Sequence, residues 1–169
     1  IAAPEPVSFP LYLRIPRWCR DARVEVGGKA LDVRPEPSSY VAIERVWSDG
    51  DAVRLVLPMR IAVRVWEKNH GALSIDRGPL TYSLRIGEKW VRYGGTDKWP
   101  AFEVYPTTPW NYGLVIDAEK PDASLAVTRK PGPIPRQPFA VDAAPIEIAA
   151  KAKRIPEWRM QGGLAGLLQ

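Results

Sequence analysis

Cysteine and histidine are almost absent from this sequence, which contains one of each, Cys19 and His70. A single thiol cannot close an internal disulfide, and one cysteine with one histidine cannot supply the ligands of a structural zinc site. No G-x-S-x-G elbow is present to support a Ser-His-Asp triad around His70. The sequence therefore predicts no catalytic residue, no metal site and no cofactor in this chain.

A membrane-spanning run and a basic cluster are also missing. No apolar stretch reaches the roughly 18 residues of a membrane helix, and no signal peptide is visible. The net charge of +5 comes from 24 Lys and Arg against 19 Asp and Glu, but the bases recur singly, as at Arg14, Arg54 and Arg64. Since nucleic-acid binding needs a basic stripe, we predict neither a nucleic-acid nor a membrane partner. The lack of disulfides leaves the compartment, cytoplasmic or exported, undecided.

Composition argues against long helices. Proline makes up 18 of 169 residues, about twice the usual ~5%, and it breaks helix interiors but is tolerated in turns and at strand ends. Alternation of apolar and polar residues, as in LYLRIP (11–16), indicates short strands instead. Turn signals at 27–28 and 48–51 predict hairpins. We interpret Asp49 and Asp51 as turn residues, although the pair would also suit a calcium loop or an acid pair.

The number and spacing of the strand-like segments predict an all-β fold. Roughly eight to ten short strands recur about every 8–12 residues, and two sheets packed face to face would bury their apolar sides. We predict a β-sandwich of jelly-roll type in two packed modules, residues 1–66 and residues 71–145. Residues 146–169 are predicted to give a terminal strand that returns to the sandwich, followed by a frayed tail. Residues 87–113 are predicted to be loop-like with short strands, because they are rich in Gly, Pro and aromatics.

Tryptophan is abundant, with seven in the chain. Flat exposed rings stack on sugars, whereas buried rings fill sandwich cores and domain interfaces. Trp18 and Trp47 follow strand ends and are predicted to lie in the core. For Trp90 and Trp99, in the loop-like stretch, contact with a sugar and contact with another domain are equally open.

The stretch EVYPTTPWNYGL (103–114) raises the same question. Its two prolines favour an extended approach, which would place Trp110 and Tyr112 on one side of the chain and Asn111 on the other. We interpret Trp110 and Tyr112 as a packed anchor, within a sandwich or against another domain, with Asn111 pairing loop backbone. The alternative is a sugar-stacking platform.

Several segments in a fixed order carry a resemblance to one enzyme family. They are LYLRIPRW, VEVGGKAL, YVAIERVWSDGDAVRLVLPM, GPLTYSL and VYPTTPWNYGL. Together they resemble the C-terminal region of β-L-arabinofuranosidase-like glycoside hydrolases of family 127, a bacterial family first recognised as a domain of unknown function. The chain has Gly-Gly at 27–28 where Asn-Gly is usual, and both pairs suit a tight turn.

The resemblance implies that the active site lies in polypeptide outside this chain. In that family an N-terminal (α/α)6 barrel carries it, with a zinc held by cysteines and a glutamate and with one cysteine proposed as nucleophile. No segment here matches that barrel, and Cys19 does not correspond to a zinc ligand. We therefore expect no catalytic barrel in this chain and no activity of the chain alone.

Two functions follow as expectations. The first is a non-catalytic C-terminal β-sandwich region that supports or borders the N-terminal catalytic barrel of a longer protein. That the chain starts with Ile1 rather than methionine fits an excised piece. The alternative is a carbohydrate-binding module whose own aromatic site takes a plant-type oligosaccharide.

Overall fold

Strands dominate the computed structural model, which describes residues 1–117, 119–140 and 142–168. Strands make up 47% and helices 4% of the structure, which confirms the predicted all-β, sandwich-like class. The helical elements described are one α-helix, α1 (Pro121–Ser124), and one 3-10 turn (Glu67–Asn69). Within these ranges, no helix has the length and apolar character needed to cross a membrane.

The chain divides into two compact units. The first comprises Ile1–Arg64 and Ile75–Thr81, and the second comprises Val65–Ser74 and Tyr82–Gln169. The division passes through one hairpin, since the residues at its base are assigned to the first unit and the residues at its tip to the second.

The first eight strands belong to the first unit or continue across that division. They are β1 (Val7–Ile15), β2 (Arg23–Val26), β3 (Lys29–Ala30), β4 (Ser39–Trp47), β5 (Val53–Val56), β6 (Ile61–Trp66), β7 (Ala72–Arg77) and β8 (Leu80–Tyr82). β1 pairs antiparallel with β4 along its whole length, and β2 pairs antiparallel with both β3 and β5. β6, β7 and β8 form a further three-stranded sheet.

The core of the first unit follows from the alternation along its strands. Successive side chains point to opposite faces of a strand, so β1 and β4 send one apolar row inward. Trp47 is fully buried, and its indole N–H donates to the carbonyl of Phe9 at 2.9 Å. The rest of the buried cluster comes from strands of both sheets and from the connection between β1 and β2: Ile15, Val24, Val41 and Ile43 from the strands, Cys19 and Ala22 from the connection. The prediction that Trp47 lies in the core is confirmed, and Trp18 packs against this cluster.

The described residues of the second unit form eight further strands. They are β9 (Glu88–Gly95), β10 (Pro100–Pro106), β11 (Tyr112–Leu114), β12 (Leu125–Arg129), β13 (Ile146–Ala150), β14 (Ala152–Arg154), β15 (Met160–Gln161) and β16 (Leu164–Ala165). They pair antiparallel as β9 with β10, β11 with β14, β12 with β13, and β15 with β16. The tail therefore contributes a short hairpin.

One local prediction is corrected here. Residues 87–113, expected to be loop-like, contain the two long strands β9 and β10, which pair through most of their length. The residues between their glycines and prolines are aromatic or β-branched, which favours strands. Nearly all of them are exposed on both sides of the ribbon, so the one-sided apolar alternation that identifies a half-buried strand is missing.

Candidate functional site

The segment around Asn111 bends sharply. The N–H of Tyr112 donates to the carbonyl of Trp110 at 3.0 Å, an i to i+2 bond that makes a γ-turn. The extended course expected for this segment is therefore wrong at Asn111. The turn leaves the backbone groups around it to be paired with other parts of the second unit.

Asn111 makes those pairings. Its side chain is 92% buried, since its relative exposure is 8%, and its amide nitrogen donates to the carbonyls of Ile155 and Trp158 at 2.8 and 3.1 Å. The N–H of Ile155 donates in return to the carbonyl of Asn111 at 2.9 Å. The expected pairing of Asn111 with loop backbone is confirmed, and it fixes residues 155–158 beside the γ-turn.

Trp110 and Trp158 form an aromatic pair at this junction. Their ring centroids lie 5.0 Å apart at an interplanar angle of 75°, the edge-to-face arrangement that aromatic quadrupoles favour. The indole N–H of Trp158 donates to the carbonyl of Gly166 at 2.6 Å. Trp110 is half-buried, as is Tyr112 at the start of β11, so neither ring stands open on a flat surface.

A cleft in the second unit lies beside this junction. Its first part has a volume of about 550 Å³ and adjoins a second part of about 480 Å³, each within the usual range for small-ligand sites. The two parts share Ile86, Gly87 and Glu88. The first part is further lined by Arg85, Trp90, Thr108 and Asp142. The second part is mainly apolar, and its lining includes Leu84, Val104, Pro106, Trp110, Trp158 and Met160.

The first part of the cleft has a fixed but open indole. Trp90 is 60% exposed, and its N–H donates to Oε2 of Glu88 at 3.0 Å. The edge of the ring system meets Phe102, with centroids 5.8 Å apart at 77°. These two contacts set the orientation of Trp90 without covering it, so an aromatic face remains available to a ligand.

Two hydrogen bonds join the floor of the cleft to the threonines before the γ-turn. The N–H of Gly87 donates to Oγ1 of Thr108 at 2.8 Å, and the N–H of Thr107 donates to the carbonyl of Gly87 at 2.7 Å. A Cβ on Gly87 would lie 2.4 Å from Oγ1 of Thr107, closer than such atoms approach. A side chain at residue 87 would therefore have to displace the side chain of Thr107 at this close crossing of two chain segments.

The charges along the cleft are largely paired. Arg85 forms an ion pair with Asp142 and lies 4.0 Å from Glu147. The ammonium of Lys130 donates to Glu147 at 2.8 Å; this hydrogen bond and the charge of Lys130 lower the pKa of Glu147. Because two carboxylates face its guanidinium, the charge of Arg85 is balanced within the second unit.

A hydrogen-bonded pair lies on β10. The hydroxyl of Tyr105, a residue of the second part of the cleft, donates to Oε2 of Glu103 at 2.6 Å. This hydrogen bond, and then the negative charge of Glu103, raise the pKa of Tyr105. The phenol therefore stays protonated and acts as a donor near neutral pH.

Trp99 lies elsewhere. It occupies the turn between β9 and β10, where its N–H donates to the carbonyl and Oγ1 of Thr96 at 3.2 and 3.1 Å. Its ring is 74% exposed and is not part of the cleft lining. The structure thus places Trp90, Trp110 and Trp158 along the cleft and leaves Trp99 at the hairpin tip.

The first part of the chain matches a known family. Residues 1–59 match the sequence profile described as Beta-L-arabinofuranosidase, GH127 middle domain. The matched residues make up about a third of the chain. The profile describes a middle domain, whereas the resemblance seen in the sequence was to a C-terminal region.

Two solved structures are similar to the chain. One is described as a glycoside hydrolase and is 20% identical to this chain, with a TM-score of 0.43. The match covers 65% of this chain and 21% of that protein's chain. The other is a GH127 beta-L-arabinofuranosidase from Geobacillus stearothermophilus T6 and is 22% identical to this chain, with a TM-score of 0.44. The match covers 62% of this chain and 24% of that protein's chain. This chain therefore spans about a fifth to a quarter of the length of those proteins. No curated protein matches it significantly.

The reactive residues of the first unit have structural roles. Cys19 is fully buried in the core, with Sγ 3.9 Å from the carbonyl of Pro58. Asp49 and Asp51 accept hydrogen bonds from the backbone N–H groups of Ala3 and Ser48 at 3.2 and 2.9 Å. The bond from Ser48 lies within the turn at 48–51 and fits the interpretation of Asp51 as a turn residue, whereas Asp49 joins that turn to the N-terminal segment. Across the described ranges, no group of three or more His, Cys, Asp and Glu side chains is placed to hold a metal ion.

One further residue singled out by the sequence lies outside the cleft, and four residues that it did not single out line the cleft. His70 is exposed, with a positive φ of 51° at the end of the 3-10 turn, outside the cleft. Arg85, Glu88, Thr108 and Trp158 line the cleft, although the sequence singled out none of them as a site residue. Their signal was weak because each comes from a different segment, and only the fold brings them together.

Proposed function

We propose that this chain is a non-catalytic β-sandwich region of a larger β-L-arabinofuranosidase-like glycoside hydrolase. It lies C-terminal to a catalytic barrel built by other parts of the polypeptide, which it supports or borders, and it has jelly-roll topology. The observation that carries the proposal is the match of residues 1–59 to the middle domain of that family. A middle domain is by its description one part of a longer protein, and the chemistry expected of the family does not fit the residues here.

The character of the single thiol supports a non-catalytic role. Thiolate nucleophiles and zinc ligands are accessible and activated by nearby positive charge, whereas Cys19 is fully enclosed among apolar side chains. A cysteine-bound zinc of the kind expected in the barrel would need further thiols, and this chain has no other cysteine.

An exposed aromatic face supports a bordering role. Tyr12 and Tyr40 are 59% and 64% exposed. The register places Tyr12 opposite Ala42 and Tyr40 opposite Arg14, so the two rings are diagonal neighbours on the outer face of β1 and β4. Exposed apolar patches on a sheet mark interaction sites, and the barrel of the same polypeptide is the partner we propose for this face.

The test compares the chain alone with the full-length polypeptide. The chain alone is expected to hydrolyse no aryl β-L-arabinofuranoside, and turnover that one acidic substitution abolishes would overturn the proposal. In the full-length protein, hydroxyl-radical labelling of Tyr12 and Tyr40 is expected to fall several-fold relative to the free chain. Equal labelling in both would contradict the bordering role.

A second function is favoured by a separate observation. The open ring of Trp90 faces a cleft that also presents Arg85, Glu88 and Thr108, which is the combination a carbohydrate-binding module needs. This alternative does not exclude the first function, because an accessory region that borders an active site can also hold part of the substrate.

A further inference from the structure

The cleft of the second unit has the chemistry of a sugar site. A sugar ring has apolar C–H faces and a rim of hydroxyls that both donate and accept hydrogen bonds. Such a ligand needs a flat aromatic surface flanked by donors and acceptors, and ligand pockets in general combine an apolar lining with a few convergent polar groups. Trp90 supplies the flat surface, and Arg85, Glu88 and Thr108 lie along the same part of the cleft.

The polar groups beside Trp90 retain capacity for a ligand. Glu88 accepts the indole N–H of Trp90 through Oε2, and a carboxylate has two oxygens with several acceptor positions. Thr108 accepts from the N–H of Gly87 through Oγ1, which leaves its hydroxyl proton to be donated. Arg85 presents five N–H donors in a planar fork, of which Asp142 and Glu147 take only part.

The charge balance of the cleft selects for a neutral ligand. Its first part is lined by one base, Arg85, and by two acids, Glu88 and Asp142, so the formal charge of this lining is −1. The chain as a whole carries +5. An anionic polysaccharide or a nucleic acid would be attracted by the chain's overall charge but would meet unfavourable charge in the cleft.

The second part of the cleft extends the apolar surface. The pair Trp110 and Trp158 and the side chain of Val104 lie along it, and the adjoining positions Ile86 to Glu88 connect it to the first part. A ligand longer than one ring therefore finds a continuous path with aromatic groups at both ends. The hydrogen bonds of Gly87 and Asn111 hold the walls in place before a ligand arrives.

We infer that this cleft binds a neutral saccharide, with one ring stacked on Trp90, its hydroxyls bound by Glu88, Arg85 and Thr108, and a further ring against Trp110 and Trp158. The inference rests on the second function proposed above, and it is independent of whether the first unit borders a barrel.

Titration of the chain with a neutral arabino-oligosaccharide tests the inference. Binding is followed by calorimetry and by 1H–15N spectra in which the indole N–H signal of Trp90 is expected to shift. Trp90→Ala is expected to weaken binding by about tenfold or more, equivalent to about 1.4 kcal/mol. The matched control is Trp99→Ala, which removes an even more exposed indole outside the cleft and is expected to leave the affinity unchanged.

Two further arms keep the test decisive. Glu88→Ala keeps the indole of Trp90 and its contact with Phe102 but removes the acceptor of the indole N–H. It is expected to weaken binding as well, so a loss in both variants with unchanged circular dichroism supports the site. An acidic sugar, a trimer of galacturonate, is expected to bind more weakly than a neutral arabino-oligosaccharide of the same length.

Absence of binding, equal binding by Trp90→Ala, or preference for the acidic trimer would each overturn the inference. A chain that binds no sugar but has Tyr12 and Tyr40 protected in the full-length protein would refute the saccharide cleft alone. A chain that binds sugar at Trp90 but shows its own hydrolytic turnover would refute the non-catalytic role alone.

Discussion

Asn111 and Ile155 are bonded to each other in both directions: the side-chain amide of Asn111 donates to the carbonyl of Ile155, and the N–H of Ile155 donates to the carbonyl of Asn111. A third bond from the same amide reaches the carbonyl of Trp158 at 3.1 Å. The buried side chain of Asn111 thus satisfies two carbonyls of the 155–158 loop, and the backbone of that loop satisfies the carbonyl of Asn111 in return. Buried polar groups are stabilising only when paired in this way.

Replacement of Asn111 by alanine is therefore expected to destabilise the second unit. Two carbonyls would lose their donor, and each unsatisfied buried group costs about 1–3 kcal/mol. The measurement is urea unfolding followed by tryptophan fluorescence, with hydrogen exchange at the N–H of Ile155 as a local readout. Asn69→Ala is the control, because Asn69 is exposed and its loss should change stability by no more than about 0.5 kcal/mol. Equal stability of the two variants would contradict the structural role of Asn111.

Gly87 gives a second prediction, based on steric fit. In Gly87→Ala the new Cβ would meet Oγ1 of Thr107 at 2.4 Å and Cγ2 of Thr108 at 3.1 Å. Overpacking of this kind costs about 1–3 kcal/mol, and it would also displace the threonine beside Trp90 and weaken any ligand of the cleft.

The matched control for Gly87 is a glycine in β9. A Cβ on Gly94 would meet no atom within 4 Å, and its φ is not positive. Gly94→Ala is therefore expected to be neutral or to stabilise by up to about 1 kcal/mol, because alanine restricts the unfolded chain. The stabilities of the two variants are compared by their denaturant midpoints. Equal stability of Gly87→Ala and Gly94→Ala would contradict the predicted steric clash at residue 87.

Trp47 gives a prediction for the first unit. Trp47→Phe keeps an aromatic ring in the core but removes the N–H that pairs the carbonyl of Phe9. The unpaired carbonyl is expected to cost about 1–3 kcal/mol, in addition to the lost volume. Hydrogen exchange of the β1 and β4 amides measures the effect on this unit. In Trp99→Phe the same substitution is made at a 74% exposed ring and should change stability by no more than about 0.5 kcal/mol; similar exchange in both proteins would refute the prediction.

The sequence predicted the strands of the first unit because apolar–polar alternation is a local signal, whereas the pairing of β1 with β4 and of β2 with β5 is not local. The alternation in residues 11–16 and 40–47 corresponds to the inward rows of β1 and β4, and the turn at 27–28 joins the paired strands β2 and β3, as predicted. The hairpin predicted at 48–51 is wrong, because this turn connects β4 to β5, which belong to different sheets. Period-two alternation determines which side chains face the core, but a short-range pattern does not determine which distant strands pair.

The cleft was not predictable in the same way. Its lining comes from residues 84–90, 104–110, 142 and 158–165, and no single segment carries a motif. Trp90 was singled out by its ring and by its place in a stretch predicted to be loop-like, and Trp158 lies in the loop that follows β14. The γ-turn at Asn111 depends on partners more than 40 residues away, which local propensity does not report.

The last prediction concerns acid sensitivity of the β12–β13 pair. Lys130 lowers the pKa of Glu147, first through its hydrogen bond and then through its charge, and Arg85 adds a weaker effect. A carboxyl group whose folded pKa is lowered stabilises the fold above its unfolded pKa, near 4.3 for an ordinary Glu, and this contribution is lost as the pH falls through the folded value. In Lys130→Met the pKa of Glu147 is expected to rise toward its ordinary value, and the loss of stability on acidification below about pH 5 should be smaller.

Carboxyl-carbon NMR titration of Glu147 measures the change in pKa, and denaturation at acidic and neutral pH measures the change in stability. Glu157→Gln, which removes an exposed carboxylate, is the control and should leave the titration of Glu147 unchanged. If Lys130→Met also left it unchanged, the ion pair would not be the cause.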